Sequence, residues 1–138
     1  MSYITKVTHK KDLAFDVELN GHNFGIDADE EYGGKNYGPR PKHLLLSGLA
    51  GCTGMDVASI LGKMQVPFDT FNLEVDAEST DEHPKVYKKI HIKYIFTGKE
   101  LDEDKINKAI NLSLEKYCGV HAMLGKVSEI THEVVLNP

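Results

Sequence analysis

The chain of 138 residues has no tryptophan, only two cysteines and only one arginine, Arg40. A single arginine excludes the arginine clusters that bind anionic ligands in a bidentate manner. Its 16 basic residues are outnumbered by 21 acidic ones, which gives a net charge of −5. This charge has the wrong sign for a protein that neutralises phosphates, so we expect no nucleic-acid partner.

Long apolar runs and secretion signals are also lacking. No stretch approaches the ~20 predominantly apolar residues of a membrane span, and the start at 1–5 has neither the basic residues nor the apolar run of a secretory signal. We therefore predict a soluble, cytosolic protein without a membrane partner, in which structural disulfides are unusual. The length lies in the range of roughly 100–150 residues that is commonest for one core, which predicts a single domain over 1–138.

The sequence of the N-terminal third predicts strands followed by a loop. Apolar and polar residues alternate over 13–19 and are followed by Asn20-Gly21, a strong hairpin signal, which predicts a β-meander over 1–28. A stretch rich in glycine, proline and acidic residues then predicts a loop. Pro41 suits the first position of a helix, which we predict over 41–64.

The remainder, 70–138, predicts a ββαβ arrangement. Two alternating segments would pair antiparallel, with acidic side chains facing basic ones across the exposed face. Asp102 is a good N-cap for the following helix, with acidic residues in its first turn. The predicted buried stripe of that helix comprises Ile106, Ala109, Ile110 and Tyr117.

The helix predicted over 41–64 has an apolar face, a face of small residues and a third, mixed face. The small-residue face contains Ser47, Gly51, Gly54, Ala58 and Gly62. Each helical glycine costs ~1 kcal/mol relative to alanine, so we expect a helix or strand, from this chain or a second subunit, to pack closely there. The mixed face carries Leu45, Gly48, Cys52, Asp56, Ser59 and Lys63.

The two cysteines, Cys52 and Cys118, are separated by 118 − 52 = 66 residues. This is not a zinc-knuckle spacing, and we predict neither a metal nor a cofactor. A lone cytosolic cysteine is usually a small buried hydrophobe. Here, however, Cys52 projects away from the apolar face, and both cysteines lie among small residues that would let another group approach the sulfur.

Such a pair could reduce peroxides. In a two-cysteine peroxidase the first thiolate becomes a sulfenic acid, which the second thiol captures as a disulfide. Asp56, one helical turn from Cys52, would disfavour the thiolate unless Arg40, Lys42 or Lys63 offsets it. His121 is either an aid to one of the thiols or an ordinary packed histidine. A Cys-His hydrolase using Cys52 and His121 is a further alternative, although no oxyanion-hole motif is visible.

Two blocks of the sequence resemble one known family. The segment 38–53 contains Pro41, Leu44-Leu45 and Cys52 in the Pro-x-x-Leu-Leu-x-x-x-x-x-x-Cys arrangement of the OsmC and organic hydroperoxide resistance (Ohr) family. The segment 117–124 resembles the second cysteine block of that family. The Gly-Cys-Thr-Gly-Met-Asp form is most similar to its YhfA-like branch, and the resemblance covers essentially the whole chain.

The resemblance implies an α+β fold in which two subunits form an intertwined homodimer, with antiparallel sheets around long central helices. It implies Cys52 as the peroxidatic and Cys118 as the resolving cysteine of a stress-response hydroperoxide reductase, with a thiol or dihydrolipoyl reductant. The family's glutamate position is occupied by Lys42. No arginine precedes residue 40, so Arg40 is the candidate substitute for the family's arginine. The alternative is a non-catalytic dimer that binds a small apolar ligand at its interface.

Overall fold

The structure is a computed structural model that describes all residues 1–138, and the chain divides into two compact units, Met1–Leu45 and Leu46–Pro138. The N-terminal unit contains an antiparallel meander in the order β1-β2-β3. Asn20 and Gly21, between β2 and β3, have φ values of 52° and 78°, as a tight hairpin turn of this kind requires. The predicted hairpin is therefore confirmed. The strands are β1 (Lys6–Lys11), β2 (Ala14–Leu19) and β3 (His22–Ile26).

A buried carboxylate organises the loop that follows β3. Asp27 is 2% exposed and accepts hydrogen bonds from the backbone N–H groups of Ala28, Lys35 and Tyr37 at 2.8, 2.9 and 3.2 Å. These bonds, with that from Lys35 the strongest, lower the pKa of Asp27 below its ordinary value. The loop is thus held by a charged side chain rather than by an apolar core.

The helix predicted over 41–64 begins with a 3₁₀ turn, Pro41–His43, and continues as α1 (Leu44–Lys63). Proline suits this first turn because its missing N–H would have no helical partner there. The run Pro41–Lys63 is long and apolar enough, by length and composition only, to cross a membrane. The expectation that no stretch approaches such a length is therefore corrected. The observation is weak evidence for a membrane span, because core helices of soluble proteins have the same properties.

The C-terminal unit contains a second sheet in the order β4-β5-β6 (β4 Thr70–Ser79, β5 Tyr87–Thr97, β6 Glu129–Leu136). β4 and β5 pair antiparallel and place Glu74 opposite Lys93 and Glu78 opposite Lys89, as predicted. β5 and β6 pair parallel, so the expectation of antiparallel sheets is wrong for this pair. The helices between β5 and β6 carry the chain back to the end of the sheet where β5 began, which makes the next strand parallel.

The core of this unit lies between the helices and one face of the sheet. The helices after β5 are α2 (Glu103–Leu112) and α3 (Gly119–Leu124), and Asp102 caps α2 by accepting from the backbone N–H of Lys105. The fully buried core side chains include Leu49, Val57, Leu61, Ile90, Ile92, Tyr94, Phe96, Ile106 and Ile110. Together these elements form a mixed α+β architecture.

One residue of the predicted buried stripe of α2 is exposed in the structure, so its prediction was wrong. Tyr117 is 55% exposed, because residues Ser113–Tyr117 form a π-helical turn. A π turn spaces its hydrogen bonds five residues apart, so a periodicity of 3.6 no longer predicts the direction of the side chains.

Within this chain, the small-residue face of α1 is only partly covered. A Cβ added to Gly54 would lie 3.0 Å from Leu73 Cδ1 on β4, whereas one added to Gly51 or Gly62 would meet no neighbouring atom within 4 Å. A strand therefore approaches the helix closely at one of the three glycines, and the other two are open.

Candidate active site

Helix α1 presents Cys52 and Asp56 on one face, because residues four apart on a helix lie one above the other. Both side chains are half-buried, while the intervening Thr53 is fully buried. The helix therefore directs a thiol and a carboxylate to the same place and directs a hydroxyl into the core.

The second cysteine comes from the junction between α2 and α3. The π turn ends with the backbone N–H of Cys118 donating to the carbonyl of Ser113 at 2.7 Å. Cys118 is then the N-cap of α3, and its sulfur accepts from the backbone N–H of His121 at 3.4 Å. Its backbone and its sulfur are thus both held by local hydrogen bonds.

The fold brings the two cysteines and the aspartate together. Cys52 Sγ, Cys118 Sγ and a carboxylate oxygen of Asp56 all lie within 4.8 Å of one another. Both cysteines are free thiols, Cys118 buried and Cys52 partly exposed. A short movement of the side chains would bring the sulfurs within bonding distance, and Cys52 is the more accessible of the two.

A chain of buried hydroxyl groups ends at Asp56. Ser113 Oγ donates to Asp56 Oδ2 at 2.9 Å. Since that uses the only proton of the serine, Thr53 Oγ1 must donate to Ser113 Oγ at 2.8 Å, and Tyr94 Oη must donate to Thr53 at 2.8 Å. The donor of every hydrogen bond in this series is therefore fixed, from the Tyr94 hydroxyl to the Asp56 carboxylate.

Burial controls the electrostatics here. The pKa of the Cys118 thiol is raised to about 11, mainly by burial and to a smaller extent by the neighbouring Cys52 and Asp56, whereas the His121 N–H opposes the shift. Burial also raises the pKa of Tyr94 to about 12. Cys118 is therefore a protonated thiol near neutral pH, suited to capturing an oxidised sulfur rather than to attacking a peroxide first.

The remaining predicted site residues are Arg40, Lys42 and His121, and their side chains are not part of the group formed by Cys52, Asp56 and Cys118. Arg40 belongs to the N-terminal unit, where it pairs with Asp29 at 2.8 Å and donates to the carbonyl of Gly38 at 2.7 Å. Lys42 lies in the 3₁₀ turn before α1. His121 contacts the site through its backbone N–H to Cys118.

Thr53, Tyr94 and Ser113 were missed at the level of sequence. Ser113 continues the apolar spacing of Ile106, Ala109 and Ile110 as a single hydroxyl, which was a usable signal because a buried hydroxyl requires a partner. Nothing in the sequence indicated that this partner would come from α1.

Comparison with known proteins identifies the family. Residues 33–133 match the family model described as OsmC-like protein. The chain is 34% identical to protein YhfA of Escherichia coli K12 over 113 residues, which are 82% of this chain and 81% of YhfA.

Solved structures share the fold. A hypothetical protein from Aquifex aeolicus VF5 matches with a TM-score of 0.83 and 26% identity, over 100% of this chain and 99% of that one. An organic hydroperoxide resistance protein OsmC from Legionella pneumophila matches with a TM-score of 0.74 over 98% and 97% of the two chains, at 14% identity. With the family-model match over residues 33–133 and a relative that is 34% identical over 82% of the chain, the chain belongs to the OsmC-like family.

Proposed function

We propose that the protein is a thiol-dependent peroxidase that reduces organic hydroperoxides in the cytosol through Cys52 and Cys118. The observation that carries the proposal is the approach of the two sulfurs, 66 residues apart in sequence, to within 4.8 Å. The similarity in fold to a hydroperoxide resistance protein supports it, and free thiols are the normal state of cysteine in the cytosol.

In the proposed reaction, the Cys52 thiolate attacks the distal peroxide oxygen. The O–O bond breaks, an alcohol leaves after taking up a proton, and Cys52 becomes a sulfenic acid. The Cys118 thiol then attacks the sulfenic sulfur, which forms the disulfide and releases water. A dithiol reductant, such as a dihydrolipoyl group, returns both cysteines to thiols by thiol–disulfide exchange.

The roles follow from exposure and protonation. Cys52 is the more exposed sulfur, so an oxidant reaches it first, and Cys118 is a buried thiol whose raised pKa keeps its proton until a sulfenic acid is beside it. Arg40 and Lys42 remain candidate modulators of the site.

The test is to expose the reduced protein to one equivalent of cumene hydroperoxide and follow the free thiols and the intact mass. We expect loss of two thiols per chain in the native protein, and a sulfenic acid trapped on Cys52 in Cys118→Ser. We expect Cys52 to react at least about tenfold faster than the same thiol in the unfolded chain, equivalent to ~1.4 kcal/mol of barrier. Oxidation of Cys52 no faster than in the unfolded chain would exclude the proposal.

We also propose that the protein works as a homodimer. Within the C-terminal unit, α1 and β4 border a shallow groove of about 400 Å³, lined mainly by small and apolar residues (Ala50, Gly51, Gly54, Met55, Ala58, Phe71, Asn72 and Leu73). Met55 is 76% exposed beside it. An exposed apolar surface next to open glycines is suited to close packing against a second copy.

A second candidate function, binding of a small apolar ligand without catalysis, uses the same groove. It is favoured by the apolar lining and by Lys42 at the position of the family's glutamate. Native mass spectrometry of the purified protein distinguishes the two functions, since a retained ligand together with unreactive thiols would favour binding.

A further inference from the structure

The group formed by Cys52, Asp56 and Cys118 has the composition and spacing of a metal site. The sequence predicted no metal, because the two cysteines are too far apart for a local zinc motif. Folding changes this, because it places two sulfurs and a carboxylate oxygen within 4.8 Å of one another. We propose that the reduced protein binds one zinc ion per chain through Cys52 Sγ, Cys118 Sγ and an oxygen of Asp56.

The ligand chemistry favours zinc over magnesium and calcium. Thiolates are soft ligands that select Zn²⁺ over Mg²⁺ or Ca²⁺, and a carboxylate is an accepted third ligand. Ligand atoms around tetrahedral zinc lie about 3.5–3.8 Å apart, given Zn–S of ~2.3 Å and Zn–O of ~2.0–2.2 Å. Each pair of these atoms would therefore need to approach by at most about 1.3 Å from their mutual limit of 4.8 Å.

Two of the three ligands are already oriented by neighbouring groups. Ser113 Oγ donates to Asp56 Oδ2 at 2.9 Å, and the His121 N–H donates to Cys118 Sγ at 3.4 Å. Metal ligands are commonly oriented in this way, and loss of such an outer partner typically costs about 10–100-fold in affinity. The chain of hydroxyl donors from Tyr94 through Thr53 and Ser113 leaves Asp56 as the acceptor at its end, as a cation ligand must be.

The arrangement leaves a coordination position for water. Three protein ligands are one fewer than a closed structural zinc site has. Cys52 and Asp56 are half-buried while Cys118 is buried, so the ion would enter, and the fourth ligand would lie, on the side of Cys52 and Asp56.

Zinc binding and disulfide formation exclude each other, because both use the same two sulfurs. Oxidation of the zinc-bound thiolates takes two electrons from sulfur. These electrons, with two protons, reduce one hydroperoxide to an alcohol and water, and Zn²⁺ leaves with its charge unchanged. The bound ion would therefore protect the reduced site and be released by an oxidant.

The test is a zinc titration of the reduced, chelator-treated protein without any oxidant, in competition with a chromogenic chelator. We expect one zinc per chain, and with Co²⁺ a thiolate-to-cobalt charge-transfer band and the intense visible absorption of four-coordinate cobalt. Asp56→Asn keeps both thiols and should weaken zinc binding at least about tenfold. The matched control Asp104→Asn removes the same charge from an exposed residue in the first turn of α2 and should bind zinc as the native protein does.

Three results would overturn the proposal: equal zinc affinity in Asp56→Asn and Asp104→Asn, a cobalt spectrum without the charge-transfer band, or one zinc per two chains. If Asp56→Asn does not fold, as judged by circular dichroism, Cys52→Ser decides: the proposal expects a charge-transfer band weakened at least about twofold, and a band as strong as that of the native protein overturns it. The peroxidase proposal is tested separately by counting thiols in the presence of chelator, so either proposal can fail without the other.

Discussion

At the scale of single residues, Thr53 is the link between the core and the candidate site. Its hydroxyl bonds both Tyr94 and Ser113, and all three residues are fully buried. Groups of this kind are costly to leave without a partner. The threonine therefore supports the fold and the orientation of Asp56 at once.

We predict that Thr53→Val lowers the free energy of unfolding by about 1–3 kcal/mol, because the isosteric side chain leaves the buried Tyr94 hydroxyl without its acceptor and Ser113 Oγ without its donor. Urea denaturation measures this loss. The control is Thr70→Val, which removes an exposed hydrogen bond to Thr97 and should change stability by no more than ~0.5 kcal/mol. Equal effects of the two substitutions would show that the buried hydrogen bonds of Thr53 contribute no more to stability than an exposed one.

Asp27 predicts a dependence of stability on pH. Its pKa is lowered in the folded state by three backbone donors, so the folded protein binds this proton less readily than the unfolded chain. The stabilisation is then fully present above the ordinary carboxyl value of 3.8 and is lost as the pH falls through the lowered value.

We therefore expect Asp27→Asn to be less stable than the native protein at neutral pH, with the difference shrinking as the pH is lowered through the acid range. Thermal unfolding followed between neutral and acid pH measures this difference. A gap in melting temperature that stays constant down to the lowest pH would show that the charge of Asp27 is not its source.

At the scale of elements, α1 contains glycines in two different environments. Gly48 is exposed, with no neighbouring atom within 4 Å of an added Cβ, whereas a Cβ at Gly54 would lie 3.0 Å from Leu73 Cδ1. The same substitution is therefore expected to have opposite effects at the two positions.

Gly48→Ala should stabilise the protein by about 0.5–1 kcal/mol, because alanine restricts the unfolded chain and suits a helix. Gly54→Ala gains the same propensity but crowds Leu73, and overpacking of a core typically costs about 1–3 kcal/mol. Urea midpoints measured at one protein concentration compare the two variants. If Gly54→Ala is as stable as Gly48→Ala, then β4 moves away at little cost.

The π turn shows why hydrophobic periodicity alone does not predict every buried residue of a helix. Periodicity predicted α2 and most of its buried stripe, because Ile106, Ala109 and Ile110 recur at helical spacing. It failed at Tyr117, where the helix widens into the π turn and then positions Cys118. Such turns are set by tertiary contacts, and π bulges are frequent at functional sites.

At the scale of the whole molecule, the proposed dimer gives a direct prediction. The native protein should have about twice the 15.4 kDa mass of the chain in solution. Met55→Asp should reduce it to a monomer, because a charge at this 76% exposed side chain would be buried without a partner at the interface. Light scattering after size-exclusion chromatography measures the mass.

The control for this substitution is Val127→Asp, which places the same charge at another exposed apolar residue, 66% exposed, outside the groove. It should leave the mass at twice that of the chain. A monomeric native protein, or a dimer that persists in Met55→Asp, would contradict the proposed interface.

The sequence by itself was sufficient for the local features: the hairpin at Asn20-Gly21, the cap at Asp102, the long helix after Pro41, and the two cysteine blocks that identify the family. Each of these depends on interactions between residues close in sequence or on a motif that can be read directly. Only the tertiary structure decided that β6 runs parallel to β5, that Ser113 and Thr53 meet over 60 residues of chain, and that Cys52, Asp56 and Cys118 come within 4.8 Å. The physical reason is that these contacts join elements distant in sequence, and their geometry is set by how the core packs rather than by any local preference.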